Sequence, residues 1–178
     1  MPRNVEIKAR VRDLNDLLNR AKDVSNSPGE VLQQEDAFFK TEKGRLKLRE
    51  EANKNGNEAW LIFYNRPDGD GPRMCQYQKC EVSNSKGLQS LLSDALGITG
   101  KVKKTRHLFM IGQTRVHIDT VDNLGSFMEL EVGLEDDESV EKGQEIAKSL
   151  MQQLNISEED LIPVAYADLL SAKISTLV

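Results

Sequence analysis

The feature that most narrows what this chain can become is a period of two, repeated along the chain, with charge on one side and aliphatic residues on the other. Residues 4–11 alternate without a break, with Val5, Ile7, Ala9 and Val11 against Asn4, Glu6, Lys8 and Arg10. A strand turns successive side chains to opposite faces, so this pattern marks a strand with one apolar and one charged face. The same division returns in GRLKLR, where Arg45, Lys47 and Arg49 oppose Leu46 and Leu48. In KKTRHLF, Lys104 and Arg106 are co-facial; in TRVHIDTV, Arg115, His117 and Asp119 oppose Val116 and Ile118. In FMELEV, Glu129 and Glu131 oppose Met128, Leu130 and Val132.

Turn chemistry separates these runs. The segments TEKG, EANKNGN and RPDGDGP are rich in Gly, Asn and Asp, as hairpin turns and loops are. Strands are predicted at 4–11, 31–40, 44–51, 58–66, 74–83, 101–111, 113–122 and 126–134. Asp13 can cap a helix through Leu14, Leu17, Leu18 and Ala21, and Ser85 one through Leu88, Leu91, Leu92 and Leu96 that stops at Gly97. Two more helices are predicted over 138–154 and from Pro163 to Ala172. Strands joined mostly by short turns form a mainly antiparallel sheet, and eight of them in one domain can close into a barrel. The expected fold is therefore α+β: a single domain, 1–178, built as an eight-stranded barrel with helices packed outside.

At 178 residues the chain can bury a core without metal or disulfide staples. Cys75 and Cys80 fall five apart on one predicted strand, on opposite faces, which excludes a bridge between them and suits a reducing cytoplasm. No apolar run reaches membrane-spanning length, and the chain opens directly on a strand pattern without a signal-like segment. The net charge of −5 hides an uneven division. Ten of the 29 acidic residues but only three of the 24 basic ones lie from Glu135 onward, which leaves 19 acidic and 21 basic before it. The strand-rich body can thus hold an anion, whereas a nucleic-acid binder would be basic throughout. Monomer and homodimer are both compatible with the sequence.

A strand with one charged face is usually half exposed, with its charges in water. Two features turn this set inward. The helices carry apolar stripes that must dock on something, and the aliphatic strand faces are the available surface. The charges are also sorted by sign: a basic row on one strand, a pair of carboxylates on another. Like charges about 6–7 Å apart along a strand face are unfavourable without a counterion. A polyanion would satisfy the basic rows, where Arg forks suit phosphate oxygens. A divalent cation would satisfy Glu6, Glu129 and Glu131, and an oxygen-only set favours Mg²⁺ or Mn²⁺ over zinc. No P-loop or dinucleotide glycine motif is present. Only His107 and His117 could serve a nucleophile; His107 falls opposite Arg106 and reads as a surface residue, while His117 lies on the charged row. Trp60, Phe63, Phe38 and Phe39 read as core or barrel wall, and Tyr64 and Arg66 are placed to reach a ligand.

These residues resemble a known family. NVEIKARV is similar to the opening E-x-E-x-K motif of the CYTH domain, GRLKLR to its basic strand, TRVHIDTVDNLGSFMELEV to its late hairpin and VAYADLL to its C-terminal helix. The resemblance runs in order through nearly the whole chain and is nearest the branch labelled class IV adenylyl cyclase-like. It implies a triphosphate tunnel metalloenzyme, in which metal and triphosphate meet inside the barrel. By position, Glu6, Glu129 and Glu131 would hold Mg²⁺ or Mn²⁺, with Asp119 as a further ligand. Lys8, Arg10, Arg45, Lys47, Arg49, Arg66, Lys104, Arg106 and Arg115 would bind the substrate, and Arg45 would join the three glutamates in catalysis. Asn4 stands where the motif has its first glutamate, so the motif is one carboxylate short. The expected reaction is hydrolysis of inorganic or organic triphosphate. Adenylyl cyclisation, a non-catalytic triphosphate-binding module and a barrel for an apolar ligand are the competing readings, the last disfavoured by the polar rows.

Overall fold

All eight alternating runs are strands in the computed structural model of the chain, which describes residues 2–65 and 72–175. They are β1 (Arg3–Arg10), β2 (Glu30–Phe39), β3 (Arg45–Asn53), β4 (Gly56–Asn65), β5 (Arg73–Glu81), β6 (Ile98–Ile111), β7 (Thr114–Val121) and β8 (Gly125–Leu134). Every neighbouring pair is antiparallel, and the order β1-β5-β4-β3-β2-β6-β7-β8 closes on itself. Two meanders explain this order. β2 to β5 and β6 to β8 each run back and forth, β2 pairs with β6 at one seam, and β1 fills the other between β5 and β8.

The helices are α1 (Leu14–Ser25), α2 (Ser85–Leu96), α3 (Val140–Gln153) and α4 (Tyr166–Ser175). Asp13 caps α1 by accepting from the Asp16 amide at 3.0 Å. For α2 the cap is Asn84 rather than Ser85; its side chain accepts from the Gly87 amide at 3.0 Å, and the Ser85 hydroxyl instead donates to Glu50. The aliphatic strand faces point outward, as the helix stripes require. Val5, Ile7, Ala9, Val116, Ile118, Met128, Leu130 and Val132 form one buried cluster with Leu17 and Ala21 of α1 and Ala147, Leu150 and Met151 of α3. Gly143 lets α3 sit directly on the barrel, since a Cβ there would come within 2.7 Å of Val5 Cγ2. Ala37, Phe39 and Leu48 form a smaller cluster under Leu88 and Leu92 of α2. None of the described helices is long and apolar enough to cross a membrane.

Helix α4 packs on the end of the barrel rather than along its side. Residues 161–164 do not begin that helix but cross the end of β1. Ala9 bridges Leu161, and the Ile162 amide donates to the Lys8 carbonyl at 2.8 Å, so its backbone is already committed to the strand. Helix α4 then starts at Tyr166 and closes that end of the barrel. Ile162 and Tyr166 pack on Phe38, Val102, Val121 and Phe127, the apolar ends of the inward-facing rows of β2, β6, β7 and β8. The interior is thus layered along its axis: an apolar plug, then buried charge, then a cavity.

Candidate functional site

Above the plug, each inward row changes from apolar to charged at the next position of its alternation. On β2 the residue after Phe38 is Asp36, which is 1% exposed and sits among three cations. Arg49 donates to it twice at 2.7 Å, Lys47 at 3.1 Å and Lys104 at 3.3 Å. Burial alone would raise the Asp36 carboxyl, but Arg49, Lys104 and Lys47 hold it well below the usual carboxylate range. Burial and the neighbouring Arg49 lower Lys47, and burial brings the Lys104 ammonium down to about 7.

A second knot stands beside it. Arg106 forks onto Asp119, both bonds at 2.7 Å, and reaches Glu129 at 3.2 Å. Glu129 is also 3.2 Å from Lys8. Burial would push Glu129 up, yet Lys8, His117 and Arg106 keep it well below its ordinary value. The Tyr166 hydroxyl donates to Asp119 at 3.0 Å, and its ring lies 3.9 Å beneath the Lys8 ammonium. Burial, with Glu129 and Asp119 close by, raises that phenol well above its ordinary value.

These charges open onto a cavity of about 350 Å³, within the size range of small-molecule sites. Glu6, Glu51, Glu58, Glu129 and Glu131 line it together with Lys8, Lys47, Arg49, Lys79, Arg106 and Arg115. Strand register sets part of this lining: Glu6 lies opposite Glu131 across the β1–β8 pair, and Glu129 opposite His117 across β7–β8. Donor atoms of His117, Glu129 and Glu131 lie within 4.8 Å of one another, close enough to surround one cation. Asn4 lines the same cavity, and its buried Oδ1 accepts no hydrogen bond. A larger hollow of about 560 Å³ adjoins this cavity near the start of α2 and shares Gln34, Glu51 and Glu58 with it. Glu35, Glu50, Glu51, Glu58 and Asp122 line it against Lys103 and Lys104, the wrong balance for a polyanion.

Of the residues expected from the sequence, Glu6, Lys8, Lys47, Arg49, Arg106, Arg115, Glu129 and Glu131 meet at this cavity. Lys104 borders its inner extension, a space of about 70 Å³ that Asp36 and Tyr166 also line. Arg115 stands at the mouth with its side chain 48% exposed, 3.7 Å from Glu131. Three of the expected residues do not line this cavity. Arg10 faces the same way as Lys8 but lies past the plug, exposed, with its guanidinium 5.5 Å from the Phe127 ring. Arg45 also lies toward the sealed end, where it forks onto Asp168 of α4. Asp119 is fully buried, with Arg106 on both its oxygens and the Tyr166 hydroxyl on one of them. Burial would raise this carboxyl, but Arg106 lowers it. Arg66 lies outside the described residues.

The structure also brings in residues that the sequence reading left out. Asp36 was hidden because its row, Leu32, Gln34, Asp36 and Phe38, carries a single charge and does not look sorted. Trp60, Ile62 and Tyr77 line the cavity together with Tyr64, and the Lys79 ammonium lies 4.6 Å over the Trp60 ring. The inward alternation of β4 could have revealed Trp60, since Glu58, Trp60, Ile62 and Tyr64 share one face.

Comparison with known proteins agrees with this geometry. The family profile described as the CYTH domain matches residues 2–166. A Methanocaldococcus jannaschii protein, provisionally named an adenylate cyclase, is 24% identical over 176 residues, 93% of this chain and 97% of that one. A solved structure from Pyrococcus horikoshii superposes with a TM-score of 0.80 at 22% identity, covering 93% of this chain and 98% of its own. A Hippeastrum protein, provisionally named an adenylyl cyclase and described as having a dominant triphosphatase activity, gives a TM-score of 0.58 at 14% identity. It covers 86% of this chain and 88% of its own.

Proposed function

Because the chain belongs to the CYTH domain family, whose members are metal-dependent triphosphatases or cyclases, we propose that it is a metal-dependent hydrolase of a triphosphate held in the barrel. The observation that carries this reading is a barrel cavity lined by both signs, where Glu6, Glu129 and Glu131 meet Lys8, Lys47, Arg49, Arg106 and Arg115. Without ligand these charges neutralise one another, as Lys8 and Arg106 do with Glu129. Metal and polyanion together would exchange these pairs for new ones. The carboxylates would turn to the cation and the guanidinium groups to phosphate oxygens, at no further cost of burying charge.

Glu6, Glu129 and Glu131 would hold Mg²⁺ or Mn²⁺, which when bound supplies charge neutralisation at the phosphate oxygens. Arg49 and Arg106 present planar forks on rigid strands, suited to gripping two oxygens of one phosphoryl group. Lys8, Lys47 and Lys104 add charge on the inner side, and Arg115 meets substrate at the mouth. Water attacks the terminal phosphorus, the bond to its bridging oxygen breaks, and negative charge grows on the leaving pyrophosphate or nucleoside diphosphate. Cations already fixed around that charge lower the barrier without rearranging. A cytoplasmic setting goes with this reading and is supported by Cys75 and Cys80 remaining thiols.

Cyclisation is the second reading. Trp60, Ile62, Tyr64 and Tyr77 offer an aromatic and aliphatic wall beside the charged groups, room for the organic part of a nucleotide. ATP turnover with both product sets measured separates the readings. Hydrolysis predicts ADP and orthophosphate; cyclic AMP with pyrophosphate would replace it by a cyclase, and strong binding with neither product would leave a binding module.

A further inference from the structure

We infer that His117 Nδ1 is itself a ligand of the divalent ion, so that the site is a mixed nitrogen and oxygen site selecting Mn²⁺ over Mg²⁺. This rests on the metal-dependent reading above and adds to it both a ligand and a preference. His117 sits mid-strand in β7, 4% exposed. Its Nδ1 is shut off from solvent and makes no hydrogen bond. A buried ring nitrogen left unsatisfied is costly and uncommon, so a partner is to be sought. The atom points between two carboxylates, 3.5 Å from Glu129 Oε2 and 3.9 Å from Glu131 Oε1.

Those separations are long for a hydrogen bond but fit ligands shared by one ion. With metal–ligand bonds of about 2.1 Å, cis ligands stand about 3 Å apart and trans ligands about 4.2 Å. Both distances fall between these limits. Cationic side chains also hold the two carboxylates. Lys8 and Arg106 hold Glu129, each at 3.2 Å, and Arg115 stands 3.7 Å from Glu131. Register fixes the rest, since His117 faces Glu129 and Arg115 faces Glu131 across neighbouring strands. A ligand carried on a strand is held more rigidly than one on a loop.

The nitrogen alters the choice of metal. Mg²⁺ prefers oxygen donors, sheds water reluctantly and demands near-ideal octahedral geometry. Imidazole suits the transition metals, so one nitrogen beside the carboxylates tilts the site toward Mn²⁺.

The test is pulsed electron paramagnetic resonance of Mn²⁺ bound to the full chain, with Mn²⁺ alone and then with tripolyphosphate added. The expected result is a ¹⁴N coupling in the wild type that vanishes in His117→Gln. The only other histidine, His107, lies on the outward alternation of β6. The variant should also bind Mn²⁺ at least about tenfold more weakly, with a smaller change for Mg²⁺ measured by competition. Bound Mn²⁺ without nitrogen coupling would overturn the assignment of His117 and leave the triphosphatase reading standing. So would Mn²⁺ affinity unchanged in the variant. Failure of the wild type to bind Mn²⁺, with or without tripolyphosphate, would overturn both.

Discussion

Lys104 is the residue whose charge depends most on what fills the barrel. Burial lowers its ammonium to about 7, with Asp36 pulling the other way and Arg49, Arg106 and Lys47 adding repulsion. Between that value and the unfolded value of about 10.4 the unfolded chain holds a proton that the folded chain has released, so this residue's contribution to stability rises with pH across that window. Below it the charge burdens the fold. A polyanion reverses the balance by favouring the ammonium. Binding tripolyphosphate at pH 8 should therefore take up as much as about one proton, read by calorimetry in buffers of different ionisation enthalpy. Lys104→Met should take up less, and equal uptake in both proteins would contradict this account. A second comparison separates two arginines of one row. Arg49 grips Asp36 at the cavity, so Arg49→Ala should raise KM for triphosphate about tenfold or more. Arg45 forks onto Asp168 with both side chains more than a third exposed, so Arg45→Ala should cost at most about 1 kcal/mol and leave KM nearly unchanged. A large rise in KM for Arg45→Ala would return it to the site. The sequence shows that Arg45, Lys47 and Arg49 share a face. Where along that row the cavity ends depends on α4, over a hundred residues later, which is why Arg45 and Arg10 were counted among the ligands.

At the scale of elements, the strands were legible because their alternation is long and unbroken, and the outer helices because their stripes match the aliphatic faces they cover. Helix α4 was not. Its stripe is weak, and what sets its position is backbone, the Ile162 amide on the Lys8 carbonyl and the Ala9–Leu161 bridge. No side-chain pattern announces such contacts. The chemistry it brings is carried by Tyr166, whose hydroxyl holds Asp119 and whose ring packs on Phe127 with centroids 5.2 Å apart. Tyr166→Phe should lose one hydrogen bond from a carboxylate that Arg106 still satisfies, costing about 1 kcal/mol in urea unfolding. Removing the ring as well, in Tyr166→Ala, should cost about 3–5 kcal/mol and open the plug. Equal losses in the two variants would mean that the ring does not seal the barrel.

For the molecule as a whole, the closed sheet explains why opposite charges can be stored inside at all. Register brings Glu6, Glu129 and Glu131 together on β1 and β8 and places Lys47, Arg49 and Arg106 on β3 and β6, and α4 closes the end behind them. Sign sorting within single strands was readable; its arrangement across the barrel was not, because it follows from pairings such as β1 with β8 and β2 with β6 between distant segments. The trio of Asp36, Lys47 and Lys104 is one consequence, assembled from β2, β3 and β6. The central claim is that this interior hydrolyses a triphosphate with the help of a metal held by those glutamates. Orthophosphate release from tripolyphosphate should be followed with Mn²⁺ or Mg²⁺ and again with the metal chelated, in wild type and in Glu129→Gln with Glu131→Gln. The account predicts release that needs the metal and falls at least about a hundredfold in the double variant while the protein remains folded. Wild-type rates in that variant, or release undiminished by chelation, would contradict it.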